Sequence, residues 1–110
     1  MPPTGLIILD KPVGMTSRQA VDCVKKPMRP AKVGHAGTLD PLAEGVLVIC
    51  VGTATRMIDY IHRLPKRYLA TFQLGVTSPT LDLESEVTQL ADAPQPTRAA
   101  LLAALPRFTG

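Results

Sequence analysis

A single carboxylate, Asp40, stands in the run Gly34-His35-Ala36-Gly37-Thr38-Leu39-Asp40-Pro41-Leu42-Ala43-Glu44-Gly45, five residues after His35 and just before a strongly apolar stretch. Glycine lets a backbone take positive φ or approach a ligand closely. Proline fixes φ and stops a helix or a sheet ladder. A loop of this make-up can be a rigid mount for a reactive acid, and function concentrates in loops held by a rigid scaffold. Taken alone, the residues leave plainer readings open. Asp-Pro is commonest in ordinary turns, and a lone histidine is as well explained by a satisfied structural role.

The elements that must hold this loop can be read from local pattern. Gly5 to Leu9 is a β-type apolar run stopped by Asp10-Lys11-Pro12 and Gly14. Thr16-Ser17-Arg18-Gln19 fits a capping box, which opens a helix that buries Ala20, Val21 and Val24 and ends before Pro27. Met28 to Val33 reads as a basic, proline-interrupted connection into the loop. Val46 to Val51 lacks polar alternation, which predicts a strand buried on both faces in the middle of a sheet. Thr53 is placed to cap a second helix presenting Met57, Ile58 and Ile61, with Pro65 ending it.

Beyond that helix, Tyr68 to Leu74 alternates apolar and polar residues and reads as a half-buried strand. Glu86 to Gln89 reads as a short returning strand. Pro94 to Thr97 should cap a last helix with Leu101, Leu102 and Leu105 inward. The order predicts an α/β (α+β) fold, a mixed β-sheet with packed helices. No stretch behaves as a linker between two domains.

At 110 residues with 45% hydrophobic and 19% charged residues, the chain has room for one modest core and is not disordered in composition. Its longest apolar stretch is far too short for a membrane span, and its N-terminus has no basic region of the signal-peptide kind. Cys23 and Cys50 lack metal-ligand spacing, so a reduced, cytoplasmic protein without a metal is expected. Ten of the twelve basic residues fall between Lys11 and Arg67, against four acids there. That asymmetry suits a polyanion partner and equally a solvated basic face.

The loop does not stand alone. Gly34 to Gly45 closely resembles the active-site motif of the TruB family of RNA pseudouridine synthases. Leu9-Asp10-Lys11-Pro12-Val13-Gly14-Met15-Thr16-Ser17 resembles that family's N-terminal Lys-Pro-x-Gly-x-Thr/Ser-Ser motif, and Lys66-Arg67-Tyr68 its Lys-x-Tyr motif. Leu74-Gly75-Val76-Thr77 begins its next turn. Thr77 to Ser85 departs from the family pattern: one aspartate is replaced, and a serine stands where the family has glycine. The family's later tyrosine, and the arginine that pairs with the catalytic aspartate, do not fall within these residues.

The resemblance implies a truncated pseudouridine synthase-like fold, with residues 1–110 the N-terminal portion of the catalytic domain and no second domain present. It implies an isomerase acting on a uridine in the T-loop of tRNA, with Asp40 the catalytic nucleophile. Tyr68 would be the stacking platform for the displaced base, His35 a contact to the flipped-out RNA, and Lys66 and Arg67 further substrate contacts. Lys11, Pro12, Gly34, Gly37 and Gly45 would shape the site. The reaction exchanges neither electrons nor groups with a cofactor, so none is expected. The expected partner is tRNA, with no membrane and no metal, and the protein is expected to be a monomer. The alternative is a non-catalytic RNA-binding fragment lacking the C-terminal part of the active site.

Overall fold

The computed structural model of the chain describes residues 2–110. Two compact units divide at Arg67 and Tyr68.

The first unit is built on a three-stranded antiparallel sheet, and the elements are α+β in character. Strand β1 (Gly5–Lys11) and strand β2 (Val33–Ala36) flank a central strand β3 (Gly45–Val51). In β1 the register runs from Gly5 opposite Val51 to Lys11 opposite Gly45, and in β2 from Val33 opposite Val51 to Ala36 opposite Val48. Between β1 and β2 lies helix α1 (Ser17–Lys25). Its capping box is complete: Thr16 Oγ1 accepts from the Gln19 backbone N–H at 3.0 Å, and Gln19 Oε1 accepts from the Thr16 N–H at 2.9 Å. The helix ends ahead of Pro27, as the residue pattern requires.

Strand alternation decides where the core lies. Leu47, Ile49 and Val51 of β3 pack with Ala20 and Val21 of α1 and with Ala31, while Ile7, Leu9, Val24 and Val33 lie partly buried around them. Full burial of a side chain such as Leu47 or Ile49 contributes about 1.5–3 kcal/mol. On the opposite face Cys50 is fully buried, but Val46 near the start of the strand is 68% exposed. The expected two-sided burial therefore holds at the Val51 end of β3 and fades toward the loop.

Beyond β3 the chain departs from expectation in detail. Gly52–Met57 form a 3-10 turn before the short helix α2 (Ile58–His62). Thr53 caps neither; its hydroxyl meets that of Thr4 at 2.8 Å. Residues Val33 to Ala36, expected as connection and loop, form β2 instead. Partnership with β3 supplies a ladder that local composition could not announce.

The second unit, Tyr68–Gly110, has a two-residue pair, strand β4 (Val76–Thr77) against strand β5 (Thr88–Gln89), and helix α3 (Arg98–Ala104). Thr97 caps α3 by accepting from the Ala100 N–H at 3.1 Å. Tyr68 to Leu74 is not a strand and is exposed throughout. Alternation expresses only a preference for a half-buried pleated surface, and a ladder needs a partner. Leu101, Leu102 and Leu105 do not point into a core either, being 43%, 52% and 57% exposed. The departing turn is organised by Asp82, whose Oδ1 accepts from the Thr80 hydroxyl at 2.6 Å and the Glu84 N–H at 2.8 Å. These bonds, the hydroxyl first, hold its carboxyl below the usual range. Among the described residues no helix is long and apolar enough to cross a membrane.

Candidate active site

Asp40 lies in the connection between β2 and β3, two strands that pair directly. The scaffold thus fixes both ends of the connection. Within it, every backbone neighbour of Asp40 is fastened. The buried Ser17 hydroxyl donates to the Leu39 carbonyl at 3.0 Å and accepts from the Leu39 N–H at 2.8 Å. On the other side, the Gly14 N–H donates to the Pro41 carbonyl at 2.6 Å, and the Ala43 N–H to the Asp40 carbonyl at 2.9 Å. These bonds all engage main-chain atoms or a neighbouring hydroxyl, and the Asp40 side chain is left exposed.

Lys11 explains how Gly14 comes to be in place. Its side chain is fully buried, and Nζ donates to the Pro12 carbonyl at 2.8 Å and the Met15 carbonyl at 2.5 Å. A buried ammonium is costly unless its protons are accepted, so the 12–15 backbone must curl to bring carbonyls to it. That curl presents Gly14 N–H to Pro41. Lys11 also stands opposite Gly45, the residue where the Asp40 connection re-enters the sheet.

A second set of contacts gathers at Gly37, which has φ +99°. His35, on β2 and half-buried, bonds through Nδ1 to the Gly37 carbonyl. The Gly37 N–H donates to Nε2 of His62, at the end of α2, over 3.0 Å. The Lys66 side chain lies over the same residue: a Cβ on Gly37 would stand 3.5 Å from its Nζ. Gly34, paired with Cys50, leaves room for Ile58, whose Cδ1 would be 2.9 Å from a Cβ there.

The first unit therefore brings His35 and Lys66 to Gly37 in the Asp40 connection and sets Lys11 opposite Gly45 at its end, with Pro12 exposed on the Lys11 turn. Arg67 is exposed at the end of that unit, and Tyr68 opens the second unit, 66% exposed. A hollow in the second unit, lined by residues including Phe72, Val76, Leu81 and Val87, holds none of these residues. Ser17 and His62 were not anticipated as parts of the site. Ser17 lies in the quoted Thr-Ser motif, and its burial as a polar residue is the feature that singles it out. His62 acts on a backbone N–H, for which sequence carries no signal.

Residues 25–110 match the sequence profile of the TruB family pseudouridylate synthase (N terminal domain). The chain belongs to the TruB family. Among curated relatives it is 48% identical over 106 residues to tRNA pseudouridine synthase B of Bradyrhizobium diazoefficiens, covering 96% of this chain and 30% of that protein. It is 47% identical over 107 residues to tRNA pseudouridine synthase B of Cutibacterium acnes, covering 97% of this chain and 36% of that one. The Bartonella henselae enzyme of the same name is 47% identical over 109 residues, covering 99% of this chain and 34% of its own length. The chain thus spans about a third of the TruB relatives it matches.

Proposed function

We propose that these residues are the N-terminal portion of the catalytic domain of a tRNA pseudouridine synthase, converting a T-loop uridine to pseudouridine, with Asp40 as catalytic nucleophile. The observation that carries the reading is the exposed carboxylate of Asp40 on a loop fastened at Leu39 and Pro41, in a chain of the TruB family. Backbone fastening leaves the reacting group free while fixing where it points, which is how a site gains from orientation.

In the reaction the N1–C1′ bond of the uridine breaks, the base turns, and a C5–C1′ bond forms. The proton at C5 leaves and N1 gains one, so the product is an isomer of the substrate. An aspartate can carry the covalent part of such a sequence, splitting one hard step into easier ones. The target base must leave its stack, at a cost of a few kcal/mol. Stacking on an aromatic ring offsets about 1–3 kcal/mol of this, and Tyr68 is assigned to that role. His35, Lys66 and Arg67 are assigned to RNA contacts beside the loop, with tRNA the partner and the protein a monomer. Both cysteines are free thiols, in keeping with a cytoplasmic enzyme.

The test is release of tritium from tRNA carrying 5-tritiated uridine. The reading expects one equivalent from the T-loop site and none when that uridine is replaced by cytidine. Release that ignores the replacement would refute the assignment of the target.

A further inference from the structure

Gly37 is held by the two histidines of the chain in opposite roles, one ring nitrogen donating and the other accepting. A carbonyl can only accept, so the His35 nitrogen bonded to Gly37 O carries a proton. A backbone N–H can only donate, so Nε2 of His62 must present its lone pair, and the ring proton lies on Nδ1. Protonation leaves the first bond intact, because an imidazolium still donates. It abolishes the second, because an imidazolium has no acceptor. Gly37 is three residues from Asp40 and two from Leu39, the residue clasped by Ser17.

We propose that His62 is a positioning residue for the Asp40 loop, a latch that holds Gly37 only while its imidazole is neutral. The inference rests on the function proposed above for Asp40. Where His62 is protonated the Gly37 bond is lost, and turnover should fall through loss of loop order. Charged and titratable groups on the elements packed against α2 are His35 on β2 and Arg56 on the 3-10 turn. Asp59 lies on α2 itself, with Arg63 and Lys66 just beyond. Arg63 is directed over the Tyr60 ring, 5.8 Å from its centroid, whereas Lys66 Nζ lies by Gly37.

Two variants separate the latch from simple stability. In His62→Gln the side-chain carbonyl can accept from Gly37 N–H at any pH, and in His62→Leu nothing can. Amide exchange and 15N–1H spectra of the protein across pH 5–8 read the latch without requiring turnover. In the wild type the Gly37 and Asp40 amides should shift when acid breaks the His62 bond, and in the Gln variant that component of the shift should be absent. In the Leu variant Gly37 exchange should rise about 10-fold or more over wild type at the neutral end of the range and converge with wild type at the acid end.

In turnover, the Leu variant should lose roughly 3- to 10-fold in kcat with KM little changed, the size of one lost hydrogen bond. The Gln variant should keep kcat and lose the acid-side decline due to His62. Equal Gly37 exchange in wild type and Leu variant at neutral pH, or an Asp40 amide indifferent to the substitution there, overturns the proposal. An inactive wild type would count against the proposed function, and the exchange data would still decide the latch.

Discussion

Ser17 Oγ bridges both polar backbone groups of Leu39, its N–H at 2.8 Å and its C=O at 3.0 Å, and Leu39 directly precedes Asp40. One buried hydroxyl at the start of α1 thereby sets the backbone on which the candidate nucleophile stands.

Replacing Ser17 by alanine should leave both Leu39 groups without their partner and lower stability by about 1–3 kcal/mol, read as a drop in Tm. Turnover should fall beyond what the stability loss explains. Thr16→Ala is the matching control: it breaks the capping box one residue away, costs about 1 kcal/mol, and leaves the Leu39 bonds alone. Equal turnover losses in the two variants would reduce Ser17 to a helix-start residue.

Lys11→Met keeps the length of the side chain and removes its donors, leaving the Pro12 and Met15 carbonyls unmatched. Hydrogen bonds to a charged group are worth about 1.5–3 kcal/mol each, so destabilisation of about 3–6 kcal/mol is expected in a denaturant melt. Because the Gly14–Pro41 bond depends on that turn, the Gly14 amide, which donates to the Pro41 carbonyl, should also exchange faster. A melt unchanged from wild type would show that the buried ammonium does not organise the turn.

The two cysteines should differ sharply in reactivity. Cys23 is exposed, while Cys50 is fully buried on β3 and burial pushes its thiol above the ordinary value of 9.0. A thiol-specific reagent should label Cys23 in the native protein and Cys50 only on unfolding. The raised group binds its proton more tightly folded than unfolded. Its contribution is therefore complete below the ordinary thiol range and is lost as pH rises through the folded value. A Cys50→Val variant should show a shallower loss of stability above about pH 9; an unchanged slope would contradict this.

The elements that were legible in the sequence are those specified by their own residues. Thr16 and Gln19 define a capping box without outside help, and Leu47, Ile49 and Val51 mark a central strand by type alone. β2 was not legible because only pairing with β3 makes a strand of Val33 to Ala36, two residues of which are a glycine and a histidine. Tyr68 to Leu74 misled in the other direction, carrying strand alternation without a ladder in its unit. At the candidate site, Asp40 can be proposed from the sequence because side-chain chemistry is written in residue type and motif. Ser17 and His62 cannot, since each acts on a backbone atom remote in sequence, 22 and 25 residues away.

The most direct test of the account is Asp40→Asn, measured for pseudouridine formation in tRNA and, separately, for tRNA binding. The substitution preserves shape and every backbone bond of the loop while removing the carboxylate. Turnover should fall by roughly 1,000-fold or more, with binding within about 3-fold of wild type, because phosphate contacts rather than Asp40 supply most of the affinity. Pseudouridine formation near the wild-type rate would contradict the assignment of Asp40, and with it the function proposed for this loop.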